Sequence, residues 1–511
     1  MRGVREGAVR DLNHPAHPLG GEDVTAVQSK LRVLLGGRSE LLVSGDMADD
    51  DPTPLVYAKV LAVKPGFSVD NPAGLHEVRA STPAESRKLQ YGGSARLTVP
   101  LSADTTLTSL TAYRKLDYDL LVDADITELD LTTSHVHEIH HQWSQEVTVT
   151  RQRAGLAWLA GVFLFQEHDR QPTVVGVRGP RLENHLNPDV EADSEAVFGQ
   201  ATIDLTSRLS GTAGLRYSRE HKSIANAGQL VTADLPVTTV FGTAYSYTDR
   251  MSNTAWTPKA GLDLRVRGNT FTYVSATRGF KSAGFNLTSP EAGRGYAPEW
   301  AWSYEGGLKS ALASGRAMLN LAIFHTDYTD LQVQTAIRPG VIDISNAAEA
   351  TIRGVEVEGM VKLTRSLKTG GHLAWLDAEY DRYIAVGVGG VTGDVAGNRL
   401  SNAPDWSGRL WLEWSAALGR GAVGSLRADS RWQSTVYFTP FNDTIQRQRP
   451  FGLLDLSAEF GPSNRRWSVG GFARNITSEP YITGTFSSPP PAIGGRPGDP
   501  RQIGIQLAVR K

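Results

Sequence analysis

Residues 454–460 read LDLSAEF, with Leu454, Leu456, Ala458 and Phe460 alternating with Asp455, Ser457 and Glu459. A period of two puts every apolar side chain on one face of an extended strand. The polar turn Gly461-Pro462-Ser463-Asn464 follows at once. The same alternation recurs elsewhere. Ile503, Ile505, Leu507 and Val509 alternate with Gln502, Gly504, Gln506 and Ala508, and Leu410, Leu412 and Trp414 with Arg409, Trp411 and Glu413. Leu426 and Ala428 oppose Arg427 and Asp429, and Val355 and Val357 oppose Glu356 and Glu358. In a soluble sandwich such a face packs on a second sheet, whereas in a membrane barrel it meets lipid and the polar face meets a wet lumen.

The connections between strands separate the two. Short turns at 35–38, 101–104, 266–269, 363–366 and 461–464 alternate with long connectors such as 47–87, 219–254 and 379–402. Tight turns at one end and long loops at the other are the pattern of an outer-membrane barrel, whose outer loops carry function. The segments 105–121, 269–280 and 316–328 exceed the ~9 to 11 residues needed to cross a bilayer. Tyr113, Tyr118, Trp143, Trp158, Tyr328, Trp432 and Tyr437 sit near strand ends, where an interfacial girdle belongs. The spacing predicts 19 strands from Val24 onward, joined by nine short turns and nine long loops.

Composition agrees. The chain has 511 residues, a net charge of −2 and no cysteine. Disulfides and thiolate metal sites are therefore excluded, and the near-neutral charge argues against a nucleic-acid partner. No stretch approaches the ~18 to 20 apolar residues of a membrane helix. The mean hydropathy of −0.26 is no objection, because barrel strands are apolar on one face only.

Seven segments, in order, resemble the TonB-dependent outer-membrane receptors of the siderophore-receptor type. They are NTFTYVSATRGFKSAGFN (269–286), PEWAWSYEGGLKS (298–310), NLAIFHTDYTDLQVQ (320–334), SNAAEATIRGVEVEG (345–359), Asn402-Ala403-Pro404, NITSEPYIT (475–483) and PRQIGIQLAV (500–509). The resemblance implies an all-β transmembrane antiparallel barrel, the last 19 or so of an expected 22 strands, over residues 1–511. It implies a receptor barrel for uptake of ferric siderophores or similar chelates, with outer-membrane lipid as surroundings and no catalysis or cofactor. Residues 1–21 lack the apolar core of a signal peptide and are expected to be a strand end and its outer loop. The family's plug domain is not visible, so the sequence reads as a fragment unable to couple transport alone, with TonB a partner only where a plug is restored. A second departure is the ending Val509-Arg510-Lys511 in place of an aromatic. The alternatives are a plugless passive pore, a non-functional remnant, or a soluble all-β binding protein.

Gly354 is expected to supply backbone geometry that a branched residue resists. His137-Glu138-Ile139-His140-His141 matches H-E-x-x-H, with Glu167 as a possible third ligand. Zinc chemistry needs that motif on a helix, and on a strand His137 and His141 stand about 13 Å apart. A solvated loop is the preferred expectation, with incidental metal contact by His135, His137, His140 and His141 as the other. Oxygen-rich anionic chelates suit arginine, lysine and aromatic contacts on outer loops. The candidates are Arg294, Tyr296 and Trp300 first, then Arg278, Lys281, Arg170, Arg178, Arg181, Tyr245 and Tyr247. For each, the bland counterpart is an interfacial aromatic or a loop charge.

Overall fold

A computed structural model describes residues 2–54, 59–177, 182–232, 244–289, 293, 295–338, 341–386, 392–419, 421–487 and 492–510. Among them one large antiparallel sheet contains 21 strands. Each strand pairs with its neighbours in chain order, from Glu22–Leu35 with Ser39–Asp50 to Trp467–Arg474 with Gln502–Val509. Leu156–Arg170 and Thr173–Val177 both lie between Thr132–Arg153 and Leu182–Asp204, so they form one stave broken at Gln171-Pro172. Proline removes a ladder donor there. Counting those two as one, and setting aside the short strand Arg2–Arg5 that pairs with residues 22–25, leaves the expected nineteen.

The two faces of the sheet differ as the alternation requires. Val162 pairs with Val147 on one side and Val197 on the other, and Val162 and Val197 are 45% and 61% exposed. Leu410, Leu412, Leu426 and Leu456 are exposed on the same outer face. Among the described residues no second sheet covers these rows. The inward face carries Arg409, Glu413, Arg427 and Asp429, joined by charge-assisted hydrogen bonds of 2.6 to 3.1 Å. A sheet apolar outside and polar inside is a membrane barrel, not a sandwich.

Aromatic rings mark the border of the apolar rows. Tyr113 pairs with Trp143, Tyr217 packs on Trp256 at 4.7 Å, and Trp302 stacks on Tyr304 at 6.0 Å. Trp432 also faces outward, whereas the alternation puts Tyr118 and Tyr328 on the inner face. The strands continue well past this border. Leu209–Thr232 and Tyr245–Arg267 stay in register as far as Gly228 opposite Tyr245. Most of the connector expected at 219–254 is therefore ladder. Outside the bilayer both faces are wet, so the apolar signal fades while backbone pairing goes on. Thr132–Arg153 likewise puts the H-E-x-x-H residues in a strand where a loop was expected.

The outer loops fold into small cores. One joins Val9, Leu19, Val78, Ala84 and Val122. Another joins Val60, Ile126 and Ala492. Around the latter a three-stranded sheet combines Lys59–Val63 with Ile482–Ser487 and Ala492–Pro497. His76 Nε2 lies 2.8 Å from the Gly498 carbonyl beside it. The early and late loops thus meet at the outer rim.

Candidate functional site: a recess at the outer mouth

Strand Thr270–Lys281 gives way at Ser282, where the chain turns inward across the mouth of the barrel. Side chains of the wall hold it there. Ser282 Oγ donates to Glu220 at 2.5 Å, and Lys222 Nζ donates to the Ala283 carbonyl at 2.7 Å. Asn226 Nδ2 donates to the Leu287 carbonyl at 2.9 Å, and the Tyr247 hydroxyl to that of Ser289 at 3.2 Å. On the other side Asn286 exchanges two bonds with the Ile344 backbone, at 2.7 and 3.0 Å. Gln332 Nε2 donates to the carbonyls of Ser282 and Ala297. The segment closes on itself through a two-residue ladder, Gly284–Phe285 with Gly295–Tyr296. A Cβ at position 284 would stand 2.3 Å from the Tyr296 hydroxyl, so any larger residue there must displace the Tyr296 ring.

Between this segment and the wall lies a half-open recess of about 380 Å³. Glu167, Asp169, Lys222, Phe285, Tyr296 and Gln334 are among its lining residues. Burial, with Glu138 adding to it, pushes the Asp169 carboxyl up to about 6, against the opposing pull of His140. Burial also holds the Lys222 ammonium below its ordinary value, opposed by Glu220 and Glu167, and raises the phenols of Tyr296 and Tyr247. His140 Nε2 lies 3.3 Å from Glu167. Two carboxylates, one ammonium and one phenol around a single recess can meet a ligand that carries both donor and acceptor groups.

The expected contact residues divide by face. Tyr247 holds the inward segment, Tyr245 stacks on Tyr247 at 5.9 Å, and Tyr296 lines the recess. Lys281 ends its strand opposite Glu299 on the inner face. Arg278 and Trp300 lie on the outward face with Trp302 and Tyr304, the Arg278 guanidinium 4.0 Å from the Trp300 ring centre. Arg170 shares the outward face of its strand with His168. Arg178, Arg181 and Arg294 lie outside the described residues. Lys222, Asp169, Asn226, Phe285 and Asn286 were missed; Asp169 and Lys222 could have been found by carrying the inward phase of their strands past the aromatic border.

The H-E-x-x-H residues do not converge. His137 Nε2 is 3.2 Å from Asp117, while the His141 ring meets His168. A helix would have put both imidazoles on one side within reach of one ion.

The profile of the family described as "TonB dependent receptor-like, beta-barrel" matches residues 46–476. The chain belongs to the TonB-dependent receptor β-barrel family. Among curated relatives, the metal-pseudopaline receptor CntO of Pseudomonas aeruginosa is 24% identical over 417 residues, 78% of this chain and 52% of that protein. The chain spans about half the length of the curated relatives it matches. Among solved receptors, the ferric yersiniabactin uptake receptor FyuA of Yersinia pestis superposes with a TM-score of 0.83 at 16% identity, over 99% of this chain and 74% of that one. The siderophore receptor PiuA of Acinetobacter baumannii gives 0.76 at 14%, over 99% and 76%. These likenesses establish a receptor-barrel fold along nearly the whole chain.

Proposed function

We propose that this barrel receives a metal chelate, a ferric siderophore or a chemically similar complex, at the outer mouth of an outer-membrane receptor. The observation that carries the proposal is the inward segment 282–289 with the recess beneath it: a half-enclosed space, mostly apolar with a few polar side chains, facing the outside and backed by paired strands. Pre-formed concave sites with a few converging polar groups are where small ligands bind. The names of its relatives, a metal-pseudopaline receptor and a ferric yersiniabactin receptor, support a metal complex as the cargo class. The function assigned is capture and passage, without catalysis. Energy coupling through TonB is proposed for the receptor of which this barrel is part, with outer-membrane lipid around it.

Tyr245, Tyr247, Tyr296 and Lys281 remain proposed contacts, joined by Lys222, Glu167 and Asp169. The test is a titration of the chain, folded in detergent micelles, with ferric chelates of catecholate, carboxylate and amino-carboxylate type. Saturable binding of one class, weakened about tenfold or more in Tyr296→Ala and in Lys222→Met, supports the assignment. Failure of the intact chain to bind any chelate sinks it.

A further inference from the structure

The outward face carries a second set of chemistry that the recess does not use. Just beyond the Tyr113–Trp143 border, three adjacent strands present His141, His168 and Glu191 in one row, each directly opposite the next. The two imidazoles meet edge to face with ring centres 5.1 Å apart. A zinc–nitrogen bond of ~2.0 to 2.1 Å puts an ion about 3.2 Å from each ring centre, so two imidazoles at a tetrahedral angle have centres about 5 Å apart. The observed centre-to-centre spacing matches that separation.

His168 is also oriented. Its Nε2 lies 2.6 Å from Asp189 Oδ1, and the alternation puts Asp189 and Glu191 on the same face of their strand. A carboxylate accepts the Nε2 proton and leaves Nδ1 with a free lone pair, the arrangement found behind metal-bound histidines. The His168 side chain is 36% exposed, so an ion can reach it from water. Lys115 stands opposite His141 on the far flank, which leaves the Glu191 side to complete the shell. Among the described residues no group of three histidine or carboxylate side chains is already converged to hold a metal. The site therefore rests on two imidazoles, with Glu191 and water as further ligands.

We propose that His141 and His168, the latter positioned by Asp189, bind a borderline divalent transition-metal ion together with Glu191 on the outside of the barrel, facing away from the recess. Such an ion would tie together the strands Thr132–Arg153, Leu156–Arg170 and Leu182–Asp204.

The test is a calorimetric titration of the full chain in detergent micelles with zinc alone, without chelate. One tight equivalent is expected, weakened at least thirtyfold in His141→Gln and in His168→Gln. Asp189→Asn should weaken it about tenfold, within the 10- to 100-fold range for such supporting groups. His137→Gln should leave it unchanged, as should His372→Gln on the separate strand Leu367–Arg382. A heat-dependent gel shift on each variant reports whether the barrel is folded. Absence of a tight equivalent, or its survival in both single variants, overturns the proposal.

Discussion

Phe324 fills the space over Gly354 on the neighbouring strand so closely that a Cβ at 354 would stand 2.4 Å from its ring. The Trp375 carbonyl blocks the other side at 2.9 Å. Gly354 thus answers a close approach inside a regular strand, not the backbone geometry expected from sequence. Gly354→Val should destabilise the barrel by about 1 to 3 kcal/mol, the usual range for overpacking. The temperature at which the folded band is lost on unheated gels should fall. Adding Phe324→Ala should restore part of the loss, and no change in the single variant would rule out the packing account.

The placement of Trp300 yields a contrast. Its ring carries the Arg278 guanidinium on the outward face, a contact worth about 0.5 to 1 kcal/mol at exposed sites. Trp300→Ala should leave chelate affinity within twofold of the parent while Lys222→Met lowers it. Equal losses in the two variants would place the ligand elsewhere.

Asp123 makes one outer loop sensitive to pH. Its carboxylate accepts bonds from the backbone of Ser81, Asp125 and Ile126 and from the Ser81 hydroxyl. Burial nonetheless pushes it up to about 7, with Asp125 adding to the effect and the bonds from Ser81 and Ile126 opposing it. The folded value lies above the ordinary 3.8, so between roughly pH 4 and pH 7 the folded loop keeps a proton that the unfolded one has lost. Stability falls as pH rises through that window and is level above it. Amide exchange in residues 123–132 should speed up from pH 5 to pH 7.5 beyond the intrinsic rate, and Asp123→Asn should abolish that excess. A flat excess in the parent would refute the shift.

Within the lumen Asp429 serves two guanidiniums, accepting from Arg409 at 2.7 and 2.6 Å and from Arg427 at 3.1 Å. Asp429→Asn removes the shared charge and should cost about 1 to 3 kcal/mol, as when a partly buried charged group loses its partner. The urea midpoint should drop, whereas Leu410→Gln on the outward face of the adjacent strand should chiefly lower yield in lipid vesicles. Matching effects of the two would contradict the two-faced sheet.

How much was legible depended on what surrounds each residue. Segments inside the bilayer, such as 454–460 and 503–509, have lipid on one side and water on the other, so alternation gave both their state and their facing. Beyond the aromatic border that contrast vanishes. Residues 219–232 and 245–254 therefore read as loop from sequence, and the histidines at 135–141 as a loop motif. The candidate site was legible only in part for the same reason. Aromatic and basic residues could be picked by type, but type does not tell that Trp300 and Arg278 face outward on the wall while Tyr296 lines the recess from the inward segment. Facing is set by the phase of a ladder, and a single arginine in an apparent loop does not reveal it. Lys222 and Asp169 needed the inward segment as well, whose hold on the wall depends on long-range partners such as Ile344 and Gln332.

The three-stranded sheet at the outer rim has a consequence for the order of assembly. Its strand Lys59–Val63 pairs with Ala492–Pro497, which lies more than 400 residues further along the chain beside its hairpin partner Ile482–Ser487. Every hairpin of the wall can form from neighbours in the chain, but this seam cannot start until the distant hairpin Ile482–Ser487/Ala492–Pro497 exists. Contacts between such distant segments form slowly because a long loop must be closed first. The rim is therefore fastened last, and an unfinished ring would be recognised by an unpaired Lys59–Val63 edge open to early proteolysis.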